Sequence, residues 1–436
     1  MKTLILDGSH ENDAMSGRVI SALQLNLESR GWDSEVIVLR EKKIGNCAGD
    51  FFCWTRNPGV CNADDDNRKI SERIMQNDLV VYLSPITFGG VSSSLKRMVD
   101  HQIQNILPFF TTIEGEVHHQ KRYSSYPRVL TVGWINSPDS NTEAIFRNLS
   151  YRTALNMYAE TNVCGVLYET QLDEELINST NDWMTQIERG IRMPKPALPM
   201  MNISTTKSTP VRRALLLVGS PRTRKSTSTA LGDYLFEQMN EYGVETQTIQ
   251  IYTSINSRER MQKLYDALDT ADLVVLAFPL YVDSLPAPVI SALEKIATHR
   301  KEHPTQSRFA AISNCGFPEA HHTSTALAIC FEFARSTSFE WMGSLALGGG
   351  QGLVGGIPLK DLDGRAIPIK NSLNMAAAAL AAGEAIPEEA RDLLAKPFIP
   401  NWLYRFFGGW GWKQQAKQYG TQKLLRHRPY EKQVKA

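Results

Sequence analysis

The sequence predicts an α/β fold made of two doubly wound parallel sheets in tandem. Short apolar stretches with the length of buried strands alternate with longer segments of helical periodicity. Parallel strands need a helical crossover, so this alternation predicts parallel sheets. The order strand, Gly-Ser turn, polar loop and helix occurs twice, in 3–23 and in 213–231. The chain of 436 residues also exceeds the usual size of one domain.

The predicted domain boundary lies in a stretch of unusual composition. Residues 192–210 carry four prolines and a polar Ser/Thr cluster, which is typical of a linker. We therefore expect a first domain over 1–191 and a second over 211–436, the latter with a helical and aromatic C-terminal extension.

In the first domain the elements follow from apolar runs and their stop signals. An apolar run opens the chain as a strand, Gly31 ends the first helix and Pro85 closes the third strand. Further strands are predicted at Ser34–Leu39, Asp78–Ser84, Arg128–Trp134 and Val163–Leu167, and helices at Gly17–Arg30, Arg68–Gln76, Ser92–Gln104 and Asn141–Tyr158.

The second domain repeats this plan, with Pro279 in the place of Pro85. Its strands are predicted at Ala214–Val218, Glu245–Ile251, Leu273–Phe278 and Arg308–Ser313. Its helices are predicted at Thr227–Tyr242, Arg258–Leu268, Ala287–Thr298, His321–Ser336 and Asn371–Ala382, while 343–356 is glycine-rich and 397–412 aromatic.

Composition excludes several classes of function. With 42% hydrophobic residues, 21% charged residues and a net charge of +1, the chain has no basic excess that would favour nucleic-acid binding. No apolar run approaches the roughly 20 residues that span a bilayer, and the N-terminus reads as a strand rather than a signal peptide. The six scattered cysteines predict no disulfide framework, so we expect a cytoplasmic protein.

Both Gly-Ser turns are candidate anion sites, because the backbone amides at a helix N-terminus attract negative charge. The second-domain turn adds hydroxyl and guanidinium groups without acids: Ser220, Arg222, Ser226, Thr227 and Ser228. The first-domain turn contains Glu11 and Asp13, which would repel a phosphate, and leaves Ser9 and Ser16 as donors. A helix capped by Ser or Thr without any ligand is the alternative for both.

These residues resemble the flavodoxin-like NADPH-dependent FMN reductases, which include the iron–sulfur flavoproteins and their cluster-free relatives. The resemblance implies that the second-domain turn holds the FMN phosphate. It also implies a flavin-ring loop that contains Pro279, Leu280, Tyr281, Val282 and Asp283, and a third loop that contains Asn314, Cys315, Gly316 and Phe317. Open α/β sheets bind ligands at the strand ends where these loops stand.

The first domain resembles the same family in its later loops. Pro85, Thr87, Phe88, Gly89 and Gly90 resemble the ring loop, and Gly133-Trp134 stands where the third loop would be. Cys47, Cys53 and Cys61 match the cysteine-rich segment, but Asp50 stands where a fourth thiolate is expected. Because an iron–sulfur cluster takes four thiolates, we expect no metal here and interpret the thiols as buried or redox-sensitive groups. Zinc held by the three cysteines and a His or Asp is the alternative.

The resemblance implies an FMN-dependent oxidoreductase that passes electrons from NAD(P)H to a quinone, a flavin or another small acceptor. The flavin would carry the chemistry, so no catalytic side chain is expected. Two alternatives stay open: a non-enzymatic flavodoxin-like electron-transfer module and a flavin-free scaffold. The expected assembly is a homodimer or an internal pseudo-dimer in which one of two flavin sites is degenerate.

Three further features carry weaker expectations. The pairs His118-His119 and His321-His322 could face a flavin or a substrate, but a solvated polar loop is the simpler interpretation of the first pair. Cys315 is expected to be a packing residue. The aromatic tail with its nearby lysines and arginines is expected to pack on its own domain, the second, rather than on a membrane.

Overall fold

The computed structural model describes residues 1–203, 209–223 and 225–432. It forms two compact units: unit 1 contains Met1–Leu198 with Trp402–Ala436, and unit 2 contains Pro199–Asn401. The amide of Asn148 donates to the Pro196 carbonyl at 2.6 Å, so the start of the predicted linker packs on unit 1. The predicted linker also contains residues 204–208, which lie outside the described residues.

Unit 1 is built on a five-stranded parallel sheet. The strands of unit 1, inside and outside this sheet, are β1 (Lys2–Asp7), β2 (Asp33–Val38), β3 (Leu79–Thr87), β4 (Gly90–Val91), β5 (Ile106–Ile113), β6 (Glu116–Lys121), β7 (Arg128–Ile135) and β8 (Asn162–Tyr168). The order in the sheet is β2-β1-β3-β7-β8, with parallel pairing throughout. This is the flavodoxin-like order, which confirms the predicted fold class. Strand β4 pairs antiparallel with the end of β3, and β5 and β6 form a separate hairpin.

Helices cover this sheet and supply its core. They are α1 (Ala14–Glu28), α2 (Phe52–Thr55), α3 (Asp66–Gln76), α4 (Ser93–Asp100), α5 (Ser140–Asn156) and α6 (Asp173–Glu188). In α1 the side chains of Val19, Leu23 and Leu27 recur every four residues and are fully buried against the sheet. That periodicity is why the segment forms an amphipathic helix on a parallel sheet.

Unit 2 repeats the same architecture. Its strands β9 (Arg213–Val218), β10 (Glu245–Gln250), β11 (Leu273–Pro279), β12 (Arg308–Asn314) and β13 (Glu340–Leu347) form a parallel sheet in the order β10-β9-β11-β12-β13. Its helices are α7 (Thr227–Glu241), α8 (Ile251–Ser254), α9 (Arg258–Thr270), α10 (Ala287–Glu302), α11 (Ser324–Ser336), α12 (Gly350–Leu353), α13 (Ile367–Ala381) and α14 (Glu388–Ala395).

Two parts of unit 1 differ from the sequence expectation. Strand β3 continues through Pro85 to Thr87, because the added residues pair with β4 and proline is compatible with extended backbone. His118 and His119 lie on strand β6 rather than in a solvated loop, with His118 buried and His119 half-buried. The hairpin turn at Glu114-Gly115 has positive φ at both residues, which glycine adopts readily at the second of them.

The C-terminal segment differs most from the expected domain division. Helix α15 (Asn401–Lys417) and the residues after it belong to unit 1, although the sequence assigned them to the second domain. Aromatic contacts explain this: the Trp412 ring lies 5.1 Å from that of Trp54 and 5.2 Å from that of Phe51. Among the helices in the described part of the chain, none is both long and apolar enough to cross a bilayer.

Candidate functional site

Three loops of unit 2 meet at the carboxyl edge of its sheet. They follow β9, β11 and β12, which are adjacent parallel strands, so the loops must lie side by side. Asn314 at the end of β12 ties them together. Its side-chain amide donates to the Ser228 hydroxyl at 2.8 Å and to the Phe278 carbonyl at 3.2 Å, and its own carbonyl accepts from Leu280 at 2.8 Å.

The loop between β9 and α7 presents a set of donors at a helix N-terminus. Ser226 is the N-cap, and its hydroxyl accepts from the Thr229 amide at 3.1 Å. Among the described residues, no group accepts from the backbone amides of Thr227 and Ser228. Ser220 is buried beside them, and no carboxylate belongs to this loop. These donors fit a phosphate group.

A glycine-rich segment after β13 packs on this loop, which sequence reasoning did not foresee. The Thr227 hydroxyl donates to the Gly350 carbonyl at 3.2 Å, and the Arg222 guanidinium donates to Gln351 Oε1 at 3.0 Å. A Cβ at Gly356 would lie 2.6 Å from the carbonyl carbon of Lys225. The run of glycines in 343–356 was the signal, because only glycine allows backbones to approach so closely.

The ring loop of unit 2 contains a strained turn. Tyr281 and Ser284 exchange backbone hydrogen bonds of 2.9 and 3.1 Å, and Val282 and Asp283 between them have φ of 44° and 54°. Positive φ is rare for a β-branched residue, and such strain concentrates at functional sites. Pro279, Leu280, Tyr281 and Val282 are half-buried, and Asp283 is buried.

The third loop of unit 2 is closely bonded to the chain around it. The Cys315 amide donates to the Leu347 carbonyl at 3.0 Å, and the Cys315 thiol lies 3.4 Å from the Phe317 carbonyl. Burial raises the pKa of Cys315 to about 12, so the thiol stays protonated and acts in packing. Gly316 is exposed and Phe317 is half-buried, with its ring 4.5 Å from that of His322.

Unit 1 has the same loop framework. The Gly8 amide donates to the Leu83 carbonyl at 2.8 Å, just as the Gly219 amide donates to the Ala277 carbonyl at 2.8 Å. A Cβ would lie 2.4 Å from Leu95 Cβ at Gly8 and 2.5 Å from Val289 Cγ2 at Gly219. Glycine is therefore required in both turns because the next strand and helix leave no room.

The donors of the unit 1 loop are used within the protein. Asp13 is the N-cap of α1, and its Oδ1 accepts from the amides of Met15 at 3.0 Å and Ser16 at 3.4 Å. Its Oδ2 accepts from Trp134 Nε1 at 3.2 Å. The Asp13 carboxylate thus occupies the place that an incoming phosphate would take, and this loop does not fit one.

Ser9 in the same loop is also engaged. Its amide donates to Asp7 Oδ1 at 2.9 Å, and its hydroxyl accepts from Arg40 Nη1 at 2.6 Å. The guanidinium of Arg40 lies 3.3 Å from Asp7 Oδ2. Sequence reasoning missed Arg40 because 31 residues separate it from Ser9.

The ring loop of unit 1 forms the same turn as that of unit 2. Thr87 pairs with Gly90, and Phe88 and Gly89 between them have φ of 52° and 77°. Pro85 precedes this turn within β3. Gly133 and Trp134 lie inside β7 rather than in a third loop, because that strand continues to Ile135.

The cysteine-rich segment does not provide the ligands of an iron–sulfur cluster. Asp50 Oδ1 accepts from the Phe52 amide at 3.0 Å and so serves α2. The Cys61 thiol lies 3.5 Å from His101 Nδ1. Burial raises the pKa of Cys47 to about 12 and also raises that of Cys53, so both are protonated thiols in the metal-free protein. These residues do not fit four-thiolate ligation.

Known proteins resemble part of the chain. An iron–sulfur flavoprotein of Methanocaldococcus jannaschii is 28% identical over 100 residues, which are 23% of this chain and 51% of that protein. An iron–sulfur flavoprotein of Archaeoglobus fulgidus is 25% identical over 103 residues, 24% of this chain and 46% of that protein. The chain thus spans about half the length of these curated relatives.

Among solved structures, an NAD(P)H:quinone oxidoreductase from Methanothermobacter marburgensis matches with a TM-score of 0.31 and 13% identity, covering 39% of this chain and 96% of that one. The family model of the NADPH-dependent FMN reductases matches residues 1–110 and 212–332. These two regions make up more than half of the chain and contain both turns and both ring loops. The chain belongs to the NADPH-dependent FMN reductase family.

Proposed function

We propose that the chain is an FMN-dependent oxidoreductase that takes electrons from NAD(P)H and passes them to a quinone, a flavin or another small acceptor, with FMN held by unit 2. The family membership supports the cofactor. The observation that carries the choice of unit is the pair of backbone amides at Thr227 and Ser228. They donate to no acceptor among the described residues, and their loop contains no acids.

Three loops of unit 2 would hold the cofactor together. The phosphate would lie on the α7 N-terminus, with Ser220, Arg222, Ser226, Thr227 and Ser228 around it. The loop Pro279–Asp283 would lie along the ring, and Asn314–Phe317 would close its other edge. FMN, when bound, supplies the acceptance and return of a hydride, so the chain's task is to position the ring and shield it.

Unit 1 would keep the framework without the cofactor. Its turn and ring loop, with Ser9, Ser16, Pro85, Thr87, Phe88, Gly89 and Gly90, retain the family's arrangement, but Asp13 takes the phosphate's place. We therefore infer one FMN per chain, in a cytoplasmic protein that acts on a small-molecule acceptor. The proposal includes the assembly, which is either an internal pseudo-dimer of the two units or a homodimer of two chains.

The test is aerobic purification followed by a visible spectrum and a flavin-to-protein ratio. Ser220→Asp and Ser9→Asp form a matched pair, since both serines follow the glycine of their turn. We expect Ser220→Asp to lose the flavin absorbance and Ser9→Asp to keep it. The reverse pattern, or two FMN per chain, would contradict the assignment to unit 2.

A second measurement separates the enzyme from its alternatives. Anaerobic addition of NADPH should bleach the bound flavin rapidly, and a quinone should restore its absorbance. A flavin that NADPH does not reduce would favour the electron-transfer module. A colourless protein that binds no added FMN would favour the flavin-free scaffold.

A further inference from the structure

Helix α15 exposes a row of large aromatic side chains. Trp402, Phe406, Phe407 and Trp410 have 70%, 68%, 54% and 59% of their surface exposed. Trp402, Phe406 and Trp410 are spaced four residues apart, so they lie along one face of the helix. Contiguous exposed apolar surface of this kind marks an interaction site rather than ordinary surface.

The opposite face of α15 is anchored to unit 1. A Cβ at Gly408 would lie 2.5 Å from the Phe110 ring, so the helix backbone lies directly on that ring. Trp412 packs on Trp54, and Ala416 is fully buried. Since these contacts hold the helix, its exposed aromatic residues are presented outward from a fixed support.

Charge along the segment has one sign. From 402 to 430 there is no acidic residue, whereas the basic residues are Arg405, Lys413, Lys417, Lys423, Arg426 and Arg428. Helical spacing places Lys413 and Lys417 on the same face as Trp402, Phe406 and Trp410. Within the described part of the chain, no carboxylate pairs with Arg405, Lys413, Lys417 or Lys423.

This combination fits a lipid headgroup region that carries negative charge. Aromatic rings favour the boundary between headgroups and acyl chains, and lysines on the same face favour anionic headgroups. A protein partner would need complementary shape, whereas a row of protruding rings next to flexible lysines suits a fluid surface. The helix does not span a bilayer, so it would lie in the plane of the interface.

We propose that the segment 402–428, here called the tail surface, docks the protein on membranes that contain anionic phospholipids. The rings of Trp402, Phe406 and Trp410 enter the interface, and Lys413, Lys417 and Lys423 contact phosphate groups. The proposal is independent of flavin binding, since it uses no residue of either candidate site.

The test is flotation of the full chain with vesicles of phosphatidylcholine alone and with phosphatidylglycerol added. We expect binding to the anionic vesicles at least tenfold stronger than to the neutral ones. Raising the ionic strength from about 0.15 M to about 1 M shortens the Debye length from about 8 Å to about 3 Å. This should weaken binding to the anionic vesicles, because the lysine contacts are then screened.

Two variants separate the ring and charge contributions. Trp402→Ser, Phe406→Ser and Trp410→Ser together should reduce partition into anionic vesicles at least tenfold. Lys413→Glu, Lys417→Glu and Lys423→Glu together should abolish the preference for anionic vesicles. Circular dichroism melting should confirm that each variant is folded, since all six side chains are exposed.

Matched controls carry the same number of changes elsewhere on the surface. For the rings the control is Leu172→Ser, Met200→Ser and Tyr242→Ser, all at exposed apolar residues. For the charges it is Lys42→Glu, Lys295→Glu and Lys301→Glu, at exposed lysines. Both controls should bind vesicles like the wild-type chain.

Three outcomes would overturn the proposal. The first is equal binding by the ring variant and its control. The second is equal binding to neutral and anionic vesicles. The third is a wild-type dimer in gel filtration that the ring variant converts to monomer while neither protein floats with vesicles, since a second copy would then cover the tail surface.

Discussion

The loop between β1 and α1 in unit 1 and the loop between β9 and α7 in unit 2 share a backbone frame. They differ in how their helix amides are capped. In both, a glycine amide bonds to the neighbouring strand and a capping residue begins the helix. The cap is Ser226 in unit 2 and Asp13 in unit 1. The carboxylate of Asp13 accepts hydrogen bonds from two helix amides, whereas the Ser226 hydroxyl accepts from one. Among the described residues, the amides of Thr227 and Ser228 then have no acceptor.

This difference shows how a repeated unit can keep its fold while the chemistry of one site changes. Aspartate and serine are equally good N-caps, so the exchange costs the helix nothing. The charge at the helix N-terminus nevertheless changes from attractive to repulsive for a phosphate. The ring loops vary less, since both contain a turn with two residues of positive φ.

The reciprocal exchange in unit 2 should have the largest effect on FMN binding. We expect Ser226→Asp to weaken FMN binding about 100-fold, or about 2.7 kcal/mol, because it places a carboxylate against the phosphate. Titration of the apoprotein with FMN, followed by quenching of flavin fluorescence, measures this. Ser226→Asn is the neutral control of the same shape and should retain most of the affinity. Equal losses in both variants would contradict an electrostatic cause.

The two turn glycines should differ in their tolerance of a methyl group. A Cβ at Gly8 meets Leu95 Cβ at 2.4 Å and the Leu83 carbonyl at 3.1 Å, whereas at Gly219 the first contact is a methyl of Val289. We expect Gly8→Ala to cost about 3 kcal/mol and Gly219→Ala about 1 kcal/mol of folding free energy.

Tryptophan fluorescence can follow the Gly8 variant, because seven of the eight tryptophans belong to unit 1 and only Trp341 to unit 2. Hydrogen exchange resolves both units for the Gly219 variant. A larger loss of stability in Gly219→Ala than in Gly8→Ala would contradict the geometric argument.

Protonation of His119 should destabilise unit 1 in acid. Burial, followed by the charge of His118, lowers the pKa of His119 to about 3, so the folded state resists its protonation. Stability is therefore present above the unfolded pKa of about 6.5 and is lost as pH falls toward 3. We expect a loss of about 2 kcal/mol between pH 7 and pH 5.

Denaturant unfolding followed by tryptophan fluorescence at both pH values measures this loss. His119→Phe is the matched variant, since the ring packs 4.5 Å from Trp54 and 4.9 Å from Phe110. That variant should remove most of the loss between pH 7 and pH 5. An unchanged loss would assign the acid sensitivity to other groups.

The reverse exchange in unit 1 should have a smaller effect on binding than the exchange in unit 2. Asp13→Ser should strengthen phosphate or FMN binding by unit 1 about tenfold, or about 1.4 kcal/mol, because the carboxylate is removed and a serine cap accepts from one helix amide instead of two. The gain is limited because Glu11 stays in the loop and Ser9 stays bonded to Arg40. The flavin-to-protein ratio at saturating FMN should rise above that of the wild-type chain. Asp13→Asn keeps a cap on the helix amides but removes the negative charge. It therefore separates the effect of charge repulsion from the effect of occupied amides.

Much of the fold was predictable from local patterns. The parallel sheets followed from buried strands such as β3 and β11 alternating with amphipathic helices, and both units have the predicted doubly wound parallel sheet. The hairpin β5–β6 was missed because a short apolar strand next to a polar one resembles a helix end followed by a loop. Strand β13 was missed because it runs into the glycine-rich segment.

The candidate sites were predictable only in part. Loops at the ends of adjacent parallel strands must meet, so the approach of Asn314 to Ser228 follows from the order of strands. The contacts of Arg40 with Ser9 and of Gly350 with Thr227 join residues far apart in the chain, and no local pattern specifies them. The family resemblance indicated the loops but not which donors are already used.

By itself, the sequence determined the tandem α/β fold, the two glycine turns and the acids in the first of them, because periodicity, turn chemistry and charge are local properties. Only the tertiary structure decided that Asp13 occupies the helix amides of unit 1, that Gly350 and Gly356 pack on the loop between β9 and α7, and that the aromatic tail returns to unit 1. These features depend on packing between segments that are far apart in the chain. For example, the aromatic tail directly follows unit 2 in sequence, but it joins unit 1 because burying Trp412 against Trp54 is favourable.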